Sequence, residues 1–253
     1  NVWCAAGKGA FGTEELIRRV EAVRLQEIVS HRRLVLPQLG ATGVSAHQVR
    51  ERTGWKVVLG PVRATDLPEF LDAGMKATPG MRRVRFPLSD RLVLIPVDLV
   101  QSARYFVAAA AVLLLLSGLG ASGYSVEGLR EVGPRSLLLL LLAFLAGIAA
   151  APAFLPWVPG RAFSLKGAWM GLIVVAGSLV GWRFVVGPVD GWVEIGGWLL
   201  LGPAISSFLT MNFTGSSTYT SLSGVRREMR FAVPCQIACA TLGMVLWLTG
   251  RFV

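Results

Sequence analysis

The chain is poor in reactive side chains, and the few it has are unevenly placed. Cys4 stands in the stretch NVWCAAGKGAFGT, residues 1–13, between Trp3 and a Gly7-Lys8-Gly9 turn. A thiol near a helix start and close to Lys8 has its thiolate favoured, because positive potential lowers a cysteine pKa. A thiolate is also a strong ligand for soft metals. Trp3 is suited to shielding the thiol from water, and the glycines let backbone approach a large flat cofactor. A phosphate loop is excluded by spacing: ending GxxxxGK[ST] at Gly7-Lys8 puts Val2 where glycine is required and Gly9 where Ser or Thr is required. Nucleophilic catalysis needs a base, and His31 and His47 stand either as that base or as ordinary surface residues.

The other two of the three cysteines are Cys235 and Cys239. They are one helical turn apart, as a metal relay or as small residues within an apolar helix. There is no CxxC pair to hold zinc or an iron–sulfur cluster, and three cysteines make no disulfide framework. A cluster-based electron supply would have to come from a partner.

Composition sets the frame for these residues. The 253-residue chain is 53% hydrophobic with mean hydropathy +0.58, which points to membrane spans. It begins with Asn inside a motif, so the sequence reads as a fragment, and the lack of a signal peptide carries no weight. Dense charge lies in 1–103, the expected soluble domain; 104–253 is the expected membrane domain. Spans are expected near 104–122, 137–155, 168–186, 193–211 and 232–250, each close to the length a bilayer requires.

The net charge of +10 is read as membrane topology, with no nucleic acid implied. With a cytoplasmic N-terminal domain, Arg161, Lys166, Arg226, Arg227 and Arg230 fall inside, and Arg130, Arg135 and Arg251 fall outside. The positive-inside rule then puts the soluble domain in the cytoplasm and the C-terminus outside. Arg183, inside the third span, is either a functional charge or a cation snorkelling to the interface. Asp190 and Glu194 lie at an outer loop and a span edge, so no mid-membrane proton relay is expected. Small residues in the third and fourth spans suit close helix packing. The polar stretch NFTGSSTYTSLSGVRREM, 212–229, is either an interhelical loop or a docking surface. The Asn212-Phe213-Thr214 sequon faces the cytoplasm on this topology and is discounted.

The soluble half reads as alternating elements. Thr13 is expected to cap a helix carrying Glu14 and Glu15 in its first turn, with Leu16, Val20 and Val23 as its apolar face. RRLVLPQLGATG, 32–43, reads as a strand and a Gly-rich turn, followed by a helix over 45–52. WKVVLGPVRATDLPEFLDAG, 55–74, repeats strand, loop and helix, and DRLVLIPVDLV, 90–100, reads as another strand. The expected fold is α/β, a partial Rossmann-like domain whose first strands are missing, followed by an all-α transmembrane domain of five helices. Ligands of such sheets sit at the carboxyl ends of the strands, which here are the loops Gly40–Gly43 and Gly60–Arg63.

NVWCAAGKGAFGTEEL resembles the cap-helix motif of the HgcA family, the membrane corrinoid proteins of microbial mercury methylation, whose signature reads N-[VI]-W-C-A-[AG]-G-K. The resemblance continues through SHRRLVLPQLGA, GPVRATDLPEFL and NFTGSSTYTSLSGVRREM, with five spans in the same order. It implies a base-off, cobalamin-type corrinoid with Cys4 as the lower axial cobalt ligand. Asn1, Val2, Trp3, Ala5, Ala6, Gly7 and Lys8 would form the helix beneath the ring; Gly40, Thr42 and Gly43 are the expected cofactor-binding loop. The alternative histidine context, D-x-H-x-x-G, is absent around His31 and His47.

The resemblance further implies methyl transfer to Hg(II) to give methylmercury, and re-reduction by a ferredoxin-like iron–sulfur partner, HgcB. Remethylation would come from a folate-type donor through a methyltransferase. The expected location is the cytoplasmic membrane, in contact with membrane lipid. Two other readings stand beside this one: a corrinoid methyl carrier of one-carbon metabolism, and a transporter or scaffold with a degenerate α/β domain.

Overall fold

A computed structural model describes residues 11–121, 123–187, 191–213 and 222–253. The chain divides into two compact units, one ending at Arg85 and one beginning at Phe86. The described residues are mostly helical, with two small sheets.

In the first unit, α1 (Thr13–Ala22) and the short α2 (Leu25–Ile28) lead to β1 (Arg33–Pro37), and a 3₁₀ turn (Gln38–Thr42) leads to α3 (Ala46–Thr53). β2 (Lys56–Gly60) then runs parallel to β1, with Leu34 opposite Val57 and Pro37 opposite Gly60, and α4 (Leu67–Asp72) follows. Parallel neighbours need a crossover, and α3 supplies it. Ser45 caps α3 by accepting from the Gln48 amide, and Gly54 ends it at φ 77°, a left-handed position that glycine occupies without strain. The core is Ile17, Val20, Leu36, Val44, Val49 and Trp55.

Three expectations change here. Val23 is exposed, and the buried face of α1 runs through Ile17 and Val20 instead. The N-cap of α1 is Gly12, and Thr13 lies just inside the helix. Residues 90–100 form no strand: they lie in α5 (Leu88–Leu92) and the start of α6 (Ile95–Ser117). Pro96 at the first turn of α6 is compatible with a helix start, and the apolar run continues directly into the span. The described sheet of the first unit is thus two parallel strands, without the third expected over 90–100.

Among the described residues, the second unit holds five helices long and apolar enough to cross a membrane: Leu88–Ser117, Val126–Ala153, Phe163–Val185, Trp192–Asn212 and Gly224–Thr249. After α6, a two-residue-strand hairpin, β3 (Leu119–Gly120) and β4 (Gly123–Tyr124), leads to α7 (Val126–Leu145). A π-helical segment (Ala146–Ala150) and the short α8 (Ala151–Ala153) continue it, and then come α9 (Phe163–Val185), α10 (Trp192–Asn212) and α11 (Leu222–Thr249). Several helices begin before the apolar windows do, because their polar first turns are also helical. The Gly147 carbonyl in the π segment accepts from the Thr210 hydroxyl at 3.0 Å, so part of the irregular backbone is satisfied from α10.

The small-residue expectation for the third and fourth spans holds. A Cβ on Gly171 of α9 would lie 2.7 Å from the Gly202 carbonyl oxygen, and one on Gly197 of α10 would lie 2.7 Å from the Trp247 amide. The backbones of α9, α10 and α11 therefore approach as closely as glycine permits. Trp198 and Trp247 fill the core beside them, and the Trp247 indole donates to Ser136 at 3.3 Å.

Candidate functional site

Cys4 and its neighbours Asn1, Val2, Trp3, Ala5, Ala6, Gly7 and Lys8 lie outside the described residues. The structure does describe the segment that follows them. Thr13 sits at the start of α1, and its amide donates to the Gly43 carbonyl at 3.1 Å. Its hydroxyl donates to the same carbonyl at 3.3 Å and accepts from the Ser45 amide at 2.9 Å. The chain leaving the cysteine motif is therefore fastened to the loop that follows β1. That loop is the expected cofactor-binding element. Gly40 is buried within it, Gly43 is half-buried and Thr42 is exposed.

Gln38 opens the same loop, and its Oε1 is buried without a hydrogen-bond partner. An orphaned acceptor of this kind costs about 1–3 kcal/mol unless a donor reaches it. No sequence signal marks Gln38, since a single amide in a turn carries no motif. At the end of β2, a Cβ on Gly60 would lie 3.0 Å from Val35 Cγ1, so this glycine serves internal packing.

The histidines are placed apart from this chemistry. His31 packs its ring edge-on to Trp55, centroids 6.3 Å apart, near the amino ends of the strands. Arg32 lies over the same indole at 5.3 Å. His47 is exposed on α3, with Nδ1 3.5 Å from Glu51. Among the described residues no three His, Cys, Asp or Glu side chains group as a metal site. No family model, curated protein or solved structure matches the chain.

On α1, Glu15 bonds Arg19 at 2.8 Å and also pairs with Arg18. The Arg19 hydrogen bond, with Arg18 adding to it, holds the Glu15 carboxyl below its ordinary value.

In the membrane half, Arg135 and Glu194 form an ion pair of 2.6 Å, with side chains 12% and 3% exposed. The sequence assigned Arg135 to an outer loop and Glu194 to a span edge. Arg135 is instead inside α7, and the pair joins α7 to α10. Their separation in sequence hid the pairing. Arg183 is exposed in the last turn of α9, as a snorkelling cation would be. Cys235 is exposed and Cys239 half-buried on α11, both as free thiols. Asp190 lies outside the described residues, as do residues 214–221 of the polar stretch; α11 is already helical from Leu222.

Proposed function

We propose that the chain is a membrane-anchored corrinoid protein that methylates Hg(II), with the Cys4 thiolate as lower axial ligand of the cobalt. The corrinoid, when bound, supplies a cobalt-carried methyl group for transfer to the metal ion. The NVWCAAGK motif carries this reading. The resemblance behind it is supported by one structural observation: the segment after the motif is tied to the Gly40–Gly43 loop at the carboxyl end of β1, where open α/β sheets receive ligands. The partial Rossmann-like character of the first unit belongs to this proposal.

The residues present fit such a group. The unpartnered Gln38 acceptor suits a cofactor whose rim is rich in amide N–H donors. Lys8 would favour the Cys4 thiolate, and a thiolate ligand would donate electron density to the cobalt. Trp3 is of a type that would shield the sulfur from water, and Gly7 and Gly9 would admit a flat ring. Thr13 fixes the start of α1 against the loop after β1, which would lower the ordering cost of the motif that precedes it.

The chain is proposed to lie in the cytoplasmic membrane with its first unit inside. A ferredoxin-like partner of the HgcB type would supply electrons, and a folate-type donor would supply methyl groups through a methyltransferase. Cobalt–thiolate ligation is tested by optical and EPR spectra of the reconstituted protein before and after Cys4→Ala. Loss of the thiolate signature with retained corrinoid supports the assignment; unchanged spectra overturn it.

A further inference from the structure

In the membrane half, α6, α7, α10 and α11 leave a cleft of about 1280 Å³, larger than the roughly 300–1,000 Å³ of ordinary small-molecule pockets. Its walls are apolar along most of their length, through Phe106, Ala109, Leu140, Ile205 and Ala240. One end is different. Asp98, Gln101, Ser102 and Arg104 of α6 and Asn212 of α10 gather there. Neither Asp98 nor Arg104 has an ion-pair partner among the described residues; Arg104 bonds only the neighbouring Tyr105 hydroxyl, at 2.8 Å.

Between the two ends, Gln236 lines the cleft from α11 and is 8% exposed. Its Nε2 lies 2.8 Å from Ser207 Oγ, and its Oε1 has no partner. Because the amide can be turned and a serine hydroxyl both donates and accepts, one polar atom of Gln236 is left over in either orientation. A polar atom left over in this way within a span is costly unless a group entering the cleft meets it.

We infer that this cleft binds one zwitterionic aminophospholipid from the bilayer. The ammonium meets Asp98, the phosphate meets Arg104, an ester carbonyl takes the spare N–H of Gln236, and an acyl chain runs along the apolar wall. From Asp98 to Ala109 the helix rises roughly 16 Å, enough to span headgroup, ester and upper chain. Opposite charges at one mouth select a zwitterion over an anionic lipid. Asp98 also discriminates between zwitterions, since a quaternary choline has no N–H to donate. A second copy of the chain would instead bring apolar side chains and leave Asp98 and Gln236 unsatisfied. This inference is independent of the corrinoid reading.

The test is native mass spectrometry of the delipidated full chain, offered phosphatidylethanolamine, phosphatidylcholine and phosphatidylglycerol separately. Wild type should retain phosphatidylethanolamine about tenfold better than the other two, as one charge-assisted hydrogen bond allows. Asp98→Asn should erase the preference over phosphatidylcholine, and Ala240→Phe, which fills the apolar wall, should abolish retention. Circular dichroism and thermal melting check that both variants fold. Equal retention of the three lipids, retention undiminished by Ala240→Phe, or a lipid-free dimer in place of the lipid adduct would each overturn it.

Discussion

The hydroxyl of Thr13 bonds both Gly43 and Ser45, so one side chain fastens the start of α1 to the loop after β1. Thr13→Val keeps the shape and removes these bonds, leaving the half-buried Ser45 amide without its acceptor. It should lower first-unit stability by about 1–2 kcal/mol and weaken corrinoid binding, read by denaturant melts and cofactor titration. Gln38→Leu should reduce corrinoid affinity about tenfold with little loss of fold, because it removes the proposed acceptor. Undiminished affinity would remove Gln38 from the site. Glu15 gives a pH prediction. Its carboxyl is held below its ordinary value, so its stabilising effect is present above the unfolded pKa and fades as pH falls through the folded one. Glu15→Gln should flatten that acid limb of the stability curve.

Among the elements, α7 and α10 are joined by Arg135 and Glu194, nearly out of water on both sides. Glu194→Leu should destabilise the protein by about 3–5 kcal/mol by stranding a buried guanidinium, and the double variant Arg135→Met with Glu194→Leu should recover most of the loss in a melting assay. Gly171→Val should cost about 1–3 kcal/mol, since the Gly202 carbonyl occupies the space its side chain needs. What the sequence revealed follows from how local each signal is. The parallel β1 and β2, α3 between them and five apolar helices announce themselves by periodicity and length. The stretch 90–100 misled because an apolar run with a proline fits either a strand or the first turn of a helix. Continuity with the span decides for the helix. The Arg135–Glu194 pair and the Thr13 link join residues far apart in sequence, and no local pattern carries such information.

For the whole molecule, the first unit carries the proposed Cys4 ligand and the second holds five apolar helices among the described residues. The charge distribution predicts that both the first unit and the Arg226–Arg230 end of α11 face the cytoplasm. Single-cysteine labelling from each side of sealed vesicles reads this directly. Labelling of the first unit from outside would reverse the topology. Methyl transfer to Hg(II) is what the proposed function requires of the protein. Its most direct measurement is methylmercury formed when Hg(II) is added to the membrane-reconstituted protein with methylcorrinoid and reductant under anaerobic conditions. Wild type should form methylmercury and Cys4→Ala little; wild type that binds corrinoid yet forms none would contradict the proposed function and leave a methyl carrier of one-carbon metabolism in its place.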